Sequence, residues 1–472
     1  MSHGTDGLTL METAGRSVAE ILTDYIGTPA ECEGDILVLC GPGNNGGDGY
    51  VVARLLDDWG YGVRLVSVVP TAALHGDAAV MASRWTGPVE GLDRISFKGV
   101  SVIVDALFGT GLARPIEGDI AILIDKANRR EAFRLAIDVP SGLDAGTGQV
   151  LGTCFQADAT VTFFARKPGQ VIAPGRFLCG GLDHVHVTDI GIPVASLDEI
   201  APATFENEPG FWGALYPHAG PATHKYHRGH LLVLGGKEPT LGACRLASMA
   251  ALRSGAGLVT LAAPSETYSI QAAALTDVMV RRFDSAFGFL GMVADTRIGV
   301  VLIGPGAGVS EKTAELVQEV AARGRDMVLD ADALTSLVGR LDLLAGEGDV
   351  VLTPHDGEFA RLFPAIDISR DRIAGARAAA AEAGAVVVLK GVSTIVAAPD
   401  GRLSIAANAP AWLSVGGTGD VLSGIIAGLL AQGMSAFEAA SAGVWLQGEA
   451  AMQAGRGMIA SDLVGMLPKV LP

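Results

Sequence analysis

Short apolar runs recur along the chain, each closed by a glycine- or acid-containing turn and most followed by a stretch with helical spacing. "DILVLC" (35–40), "VRLVSVV" (63–69), "SVIVDALF" (101–108), "RLAIDV" (134–139) and "ATVTFF" (159–164) read as buried strands, and "DGYVVARLLDDWG" (48–60) has the period of a helix. Strand–helix alternation of this kind predicts an α/β, doubly wound parallel sheet. A less regular, acid- and proline-containing stretch, "PVASLDEIAPATFENEPG" (193–210), interrupts the pattern. The alternation then restarts with "HLLVLGG", a helix around "GACRLASMAALRSG", "GLVTLAA", "GVVLIGPG", "DMVLDADA", "DVVLTPHDGE", "AVVVLKG" and "STIVAA". It closes in helical segments over 418–455 and 461–470. The expected layout is a first α/β domain over 1–192, a connection over 193–212 and a second α/β domain over 213–472. No repeat with a period of 20–50 residues is present, which argues against a solenoid.

Composition narrows the function classes. A chain of 472 residues exceeds the usual size of one core, in line with two domains. A net charge of −17 argues against a general binder of nucleic acid or of anionic membranes, so any phosphate must be held by local amides, a few cations or a metal. The five cysteines are scattered without C-x-x-C spacing and read as reduced core residues of a cytoplasmic protein. No apolar run approaches the ~18 residues of a membrane span, and the N-terminus has no signal-like apolar region.

Chemistry-bearing residues collect where strands are expected to end. "CGPGNNGGDGY" (40–50) fits G-x-G-x-x-G through Gly41, Gly43 and Gly46, but no acid follows about 20 residues on to take a ribose, so the ordinary dinucleotide site is rejected. Asn44, Asn45 and Asp48 add side-chain oxygens beside the glycine cradle of Gly46 and Gly47, a pattern suited to a phosphate plus a cation. Asp105 with "GTGLARP" (109–115), "IDVPSGLD" (137–144) and "ARKPG" (165–169) also fall at strand ends, and such loops converge at the carboxyl edge of an open sheet. Any one of these acids alone is better read as a cap or turn former.

In the second half no G-x-x-x-x-G-K-[ST] occurs, which excludes a P-loop. Strand ends carry "GPGAG" (304–308), "DADAL" (330–334), "TPHDGEF" (353–359), "KGVST" (390–394) and "GGTGD" (416–420). The last precedes an apolar stripe, Val421, Leu422, Ile425, Ile426, Leu429 and Leu430. A helix start with free N–H groups attracts anions. Asp420 alone could be a first-turn acid, His355 a satisfied loop histidine and Lys390 a solvated charge.

Two resemblances draw these features together. "NNGGDG", "DALFGTGL" and "IDVPSGLD" resemble the N-terminal, Rossmann-like three-layer domain of the NAD(P)H-hydrate epimerases, over about residues 8–190. That resemblance implies binding of the hydrated dinucleotide by Asn44, Asn45, Gly46, Gly47 and Asp48 and by Gly109, Thr110, Gly111, Leu112, Ala113, Arg114 and Pro115. It further implies contact of Asp138 with the damaged ring, and K+ held by Asn45, Asp105 and Ser141. The family pattern has a further helix before "LMETAG" that this chain nearly lacks. From about 223 onward, "HKYHRGHLLVLGG", "GACRLA", "LRSGAGLV", "DADAL", "TPHDGEF" and "GGTGDVLSG" are similar to the ADP-dependent NAD(P)H-hydrate dehydratases of the ribokinase-like fold. Here the resemblance implies dinucleotide contacts at Ala243, Gly308, Pro354, His355, Asp356, Gly357, Glu358, Phe359 and Asp420. It implies ADP contacts at Lys390, Gly391, Val392, Ser393 and Thr394 and, with the less distinctive "NAPAWLSV" (408–415), at Gly416, Gly417, Thr418 and Gly419. Glu358 either helps place Mg2+ or caps a helix. Asp138 and Asp420 are the expected catalytic residues.

The expected function is repair of hydrated nicotinamide cofactors (NADHX and NADPHX): epimerisation of R and S forms, then dehydration of the S form with conversion of ADP to AMP and phosphate. A homo-oligomer is expected, with no nucleic-acid or membrane partner. Two other readings remain open at this point: a ribokinase-like kinase of the hydroxymethylpyrimidine or hydroxyethylthiazole sort, and a first half serving as a non-catalytic scaffold.

Overall fold

The structure, a computed structural model, describes residues 6–472; the first five residues, part of the N-terminal stretch read for a signal, lie outside it. The chain divides into two compact units, with the boundary between Pro202 and Ala203. Among the described residues no helix is long and apolar enough to cross a membrane.

In the first unit, strands β1 (Asp35–Cys40), β2 (Val63–Ser67), β3 (Val89–Glu90), β4 (Val100–Ala106), β5 (Phe133–Ile137), β6 (Ala159–Phe163) and β7 (Val185–Thr188) form one sheet. Its order is β3-β2-β1-β4-β5-β6-β7 and every pairing is parallel. Strand alternation splits the core: Ile36, Val38 and Cys40 pack with the helices Gly7–Ile26 and Asn44–Asp58, whereas Leu37 and Leu39 pack with the helix Gly118–Asn128. Order reverses between β1 and β4, and that is where an open α/β sheet leaves a crevice for a ligand.

The second unit carries β8 (Thr204–Glu206), β9 (His230–Leu234), β10 (Leu258–Pro264), β11 (Met279–Phe283), β12 (Val300–Ile303), β13 (Asp326–Leu329), β14 (Val350–Leu352), β15 (Val386–Leu389), β16 (Thr394–Ala397) and β17 (Leu403–Ala406). The sheet order is β11-β10-β9-β12-β13-β14-β15-β16-β17-β8, parallel except where β16 runs against β15 and β17. The strand β8 corrects the extent of the connection read over 193–212. It pairs with β17, and Trp212 is fully buried, so the stretch from Ala203 on is part of the second unit. The strands missing from the sequence reading are short or lie at edges; β11, "MVRRF", carries two arginines on an edge where charge is tolerated and apolar periodicity is weak.

The helix Thr418–Ala431 is buried on all sides from Val421 to Leu430, more than the one-sided stripe expected. Its interior glycines explain how. A Cβ on Gly424 would sit 2.2 Å from the Ala247 carbonyl oxygen, and one on Gly428 would lie 2.7 Å from that of Ala251, so the helix Leu241–Arg253 approaches at backbone distance. We expect Gly424→Val to force the two helices apart and cost about 1–3 kcal/mol, seen as a lower Tm in a thermal melt. A Tm at or above that of the wild type would contradict the close approach.

Candidate active sites

The first site is built at the exit of β1. A Cβ on Gly41 would meet the Leu107 carbonyl at 1.7 Å, and one on Gly46 the Gly41 carbonyl at 2.0 Å, so only glycine lets the two loops close on each other. The helix Asn44–Asp58 starts there with Gly43 as N-cap and no side-chain cap, which leaves its first N–H groups turned outward. A cavity of about 560 Å3 opens at this point, lined by Asn44, Asn45, Asp48, Gly109 to Leu112, Asp138 and Lys167, with Pro42, Gly43, Leu107, Phe108 and Phe163. Gly46 and Gly47 are buried behind it, while Ala113, Arg114 and Pro115 are exposed and outside its lining.

Asp138 has φ +64, a left-handed conformation uncommon outside glycine, and its surroundings hold it there. Its N–H donates to the Val161 carbonyl (2.8 Å) and its carbonyl accepts from Gln170 Nε2 (2.7 Å). Its carboxylate takes the Lys167 ammonium on Oδ1 at 2.7 Å and the Thr110 N–H on Oδ2 at 3.1 Å. Lys167 Nζ also donates to Thr162 Oγ1 (2.6 Å) and the Phe163 carbonyl (3.2 Å), which uses all three of its protons. Lys167 was missing from the residues assigned in the sequence, although "ARKPG" had been marked as a strand end. We expect Lys167→Met to lower turnover at this site by about 10–100-fold, the worth of a hydrogen bond to a charged group, with little change in the second unit's activity. Equal losses at both sites would refute the assignment.

Asp48, 8 % exposed, faces the same cavity from the helix's first turns, and its carboxyl makes no hydrogen bond with another described residue. Burial, and then the charge of Asp138, drive its carboxyl well above the ordinary range.

Asp105 is fully buried and pushed up to about 6 by burial, against bonds from Ser141 and Leu107 that act the other way. Its carboxylate accepts from Leu107 N–H (3.1 Å), Ser141 N–H (2.7 Å) and Ser141 Oγ (2.6 Å). Both side-chain polar atoms of Asn45 are buried without a partner. An orphaned amide oxygen and a buried carboxylate served only by dipoles are a donor set that fits a hard cation.

The second site gathers the carboxyl ends of β12 to β15 around the helix Thr418–Ala431. Gly417 caps that helix in a left-handed conformation (φ +90), and the N–H groups of Gly416, Gly417, Gly419 and Asp420 have no acceptor among the described residues. Asp420 lies in the first turn, half-buried, and makes no side-chain hydrogen bond with another described residue. Its carboxyl is pushed up to about 6, first by burial, then by Asp330, with Lys390 opposing and Asp332 adding. Lys390 Nζ donates to Asp330 Oδ1 (3.0 Å) and lies 3.9 Å from Glu358 Oε2. Burial acts to lower the Lys390 pKa, but the charges of Asp330 and Glu358 outweigh it and hold the group above its ordinary value.

The other expected residues take varied places. His355 caps the helix Asp356–Leu362: its Nδ1 accepts from Gly357 N–H (3.0 Å), and its own N–H donates to Glu358 Oε2 (2.9 Å) in a reciprocal capping box. The capping role left open for Glu358 is therefore present. Asp356 is clamped by Arg372 through two bonds (2.9 and 2.8 Å), and Arg372 also donates to the Lys390 carbonyl. The Phe359 ring is wholly buried against Phe363, its N–H donates to the His355 carbonyl (2.8 Å) and its carbonyl accepts from Phe363 N–H (2.8 Å), so it supports the loop from behind. Pro354 accepts from Lys390 N–H (2.9 Å), Gly308 donates to Asp332 Oδ2 (2.9 Å), and Ala243 lies on the first turn of its helix. In "KGVST", Gly391 N–H donates to Thr394 Oγ1, Val392 is 62 % exposed and Ser393 is buried. Gln447 Nε2 donates to the Thr418 carbonyl (2.6 Å), steadying the glycine loop.

A family model described as NAD(P)H-hydrate dehydratase matches residues 231–470, and one described as YjeF-related protein N-terminus matches residues 7–169. The "Bifunctional NAD(P)H-hydrate repair enzyme Nnr" of Salinibacter ruber is 38 % identical, covering 99 % of this chain and 92 % of that protein. The chain belongs to the bifunctional NAD(P)H-hydrate repair enzymes. The protein of the same name from Escherichia coli is also 38 % identical, over 92 % of this chain and 84 % of its own. Among solved structures, the ADP/ATP-dependent NAD(P)H-hydrate dehydratase of Bacillus subtilis, co-crystallised with ATP/Mg2+, matches with a TM-score of 0.51 and 28 % identity. It covers 56 % of this chain and 97 % of that one. A ribokinase-like superfamily protein of Enterococcus faecalis, 24 % identical with a TM-score of 0.51 over 57 % of this chain and 95 % of its own, supports the fold. The family match sets aside both the small-molecule kinase and the scaffold as readings of the whole chain.

Proposed function

We propose that the two sites act in sequence on hydrated nicotinamide cofactors: the first interconverts R and S hydrates, and the second dehydrates the S form with ADP. The observation that carries this reading is the pairing, in one chain, of an opposed carboxyl pair at the first site with an outward-facing glycine loop and a free carboxylate at the second. In the hydrate the hydroxyl sits on the carbon bonded to the ring nitrogen. Protonation of that hydroxyl by Asp48 lets water leave as the nitrogen lone pair forms a C=N bond. Water then adds to the other face, giving its proton to the Asp138 carboxylate. The reverse reaction exchanges the two roles. Asn45, Asp105 and Ser141 would hold K+, whose charge would neutralise the buried Asp105. Asp105→Ala is expected to slow R-to-S interconversion strongly while turnover of pure S hydrate continues; equal loss of both activities in a folded protein would overturn the independence of the sites.

At the second site Asp420 takes the proton of the ring hydroxyl as its oxygen attacks the terminal phosphorus of ADP, and AMP leaves. Loss of phosphate, driven by the ring nitrogen, and of a proton from the neighbouring carbon restores NAD(P)H. Amides of the glycine loop and Lys390 bind the phosphates, and phosphoryl transfer needs little beyond such positioning. Mg2+ fits as an ion carried by the nucleotide, with Glu358 at hand: among the described residues no three His, Cys, Asp or Glu form a cage, and Mg2+ commonly binds through one or two carboxylates plus phosphates. Five free cysteines support a reducing, cytoplasmic setting, and Phe287, 87 % exposed, supplies apolar surface for a homo-oligomer. The direct test is to supply a mixture of R and S hydrates with ADP and follow the near-ultraviolet absorbance of NADH together with AMP. Complete conversion of both epimers supports the reading; no ADP-dependent NADH would sink it.

A further inference from the structure

Asp330 is given no role in the chemistry above, yet the fold is shaped around it. It is 2 % exposed, just past the carboxyl end of β13. Gly304, at φ +138, is the residue that lets the neighbouring strand end approach, since a Cβ there would lie 1.8 Å from the Asp330 carbonyl oxygen. The next residue, Ala331, has φ +47, a conformation alanine rarely adopts, and beyond it Asp332 is bonded to Gly308. A strained alanine between two aspartates is the mark of a turn held for what its side chains do.

Among the described residues, the Asp330 side chain has one cationic partner. Lys390 Nζ lies 3.0 Å from its Oδ1. Both groups border the helix Thr418–Ala431: a Cβ on Gly419 would lie 3.5 Å from Lys390 Nζ and 3.8 Å from Asp330 Oδ2. The ammonium thus stands at the mouth of the helix beside the unpaired loop amides, where an anion is favoured. Its long stem has many rotamers, and a buried partner at this distance selects one of them.

We propose that Asp330 is a positioning residue of the second site: it pins the Lys390 ammonium at the start of the helix Thr418–Ala431, where the terminal phosphate of the nucleoside diphosphate binds. The inference rests on the dehydratase reading, but the two fail in different ways. If wild-type protein gives no ADP-dependent NADH from pure S hydrate, the reading fails. If wild type turns over and Asp330 variants match it, the inference alone fails.

The test uses the full chain, pure S hydrate and ADP, with epimerase activity as the internal measure of folding. The charged groups acting on Asp420 are Asp330, Lys390 and Asp332. Asp330→Asn removes a negative charge that raises Asp420 and releases the Lys390 charge that lowers it. The acid limb of kcat should therefore move to lower pH, while kcat on the alkaline plateau falls at least about tenfold and KM for ADP rises. The limb shift reads the lost charge alone, whereas the fall in plateau kcat with the rise in KM for ADP reads the lost position of Lys390. A part played only in folding would leave plateau kcat and KM at wild-type values in the folded variant. A plateau kcat and a KM for ADP within twofold of wild type would overturn the proposal.

Asp330→Asn takes the hydrogen-bonded carboxylate from a half-buried ammonium and leaves it only Glu358 at 3.9 Å, a change that costs stability. Replacing both partners relieves that cost, so Asp330→Asn/Lys390→Met is compared with Lys390→Met on the plateau. If Asp330 works through Lys390, the second change adds nothing and the two rates agree within twofold. A further tenfold loss in the folded double variant, or a return toward the wild-type rate, would overturn it.

Discussion

Asp420→Asn is expected to abolish most dehydratase turnover, by about 10²–10⁴-fold, while ADP still binds and stability stays within ~1 kcal/mol. Asparagine keeps the size and hydrogen bonding of the side chain in the first helical turn and removes only its basicity. Were Asp420 there to stabilise the helix start, asparagine would serve nearly as well. The structure sharpens the expectation, because the carboxylate is half-buried, makes no hydrogen bond with another described residue and stands beside open loop amides. Its pKa of about 6 also gives a pH dependence. The base form is lost as pH falls through that value, so wild-type kcat should drop below about pH 6 and level off above it. NADH appearance from pure S hydrate measures both. A near-normal rate in the variant would return Asp420 to a structural role.

Asp138→Asn should have the second large effect, on epimerisation alone. Asparagine tolerates the left-handed backbone at φ +64 and can still accept the Thr110 N–H, so the loop should survive. It cannot take a proton, and it no longer forms the ion pair with Lys167. Interconversion of R and S hydrates, followed by chromatography after incubation without ADP, should slow by about 10²–10⁴-fold, with dehydration of pure S hydrate unchanged. The pair logic extends the test. Removing the Asp138 charge removes one of the two causes that raise Asp48. The residual epimerase activity should therefore have its alkaline limb at lower pH than wild type. Unchanged interconversion in this variant would remove Asp138 from the chemistry.

The sequence determined the class of fold and pointed to the strand ends where both candidate sites lie. Short, mainly apolar runs fixed the central strands, because a parallel strand buried on both faces is apolar over most of its length and carries its polar residues near its ends. Loops at the carboxyl ends of such strands are where ligands bind, so glycine, asparagine and aspartate at those ends mark candidate ligand loops in the sequence itself. Family resemblance then supplied names for the chemistry.

Tertiary structure decided what periodicity and spacing do not encode. Edge strands such as β8 and β11 are specified by pairing rather than by apolar pattern, and β8 moved the unit boundary to Pro202. Gly424 and Gly428 sit in the sequence as poor helix formers; only the neighbouring backbone shows why they are needed. The partners of a charge lie far along the chain: Lys167 meets Asp138, and Lys390 meets Asp330 across 60 residues. Whether Asp48 and Asp138 share a cavity, and so whether the charge of Asp138 raises the Asp48 carboxyl, depends on distance and burial, quantities that exist only after the chain has folded.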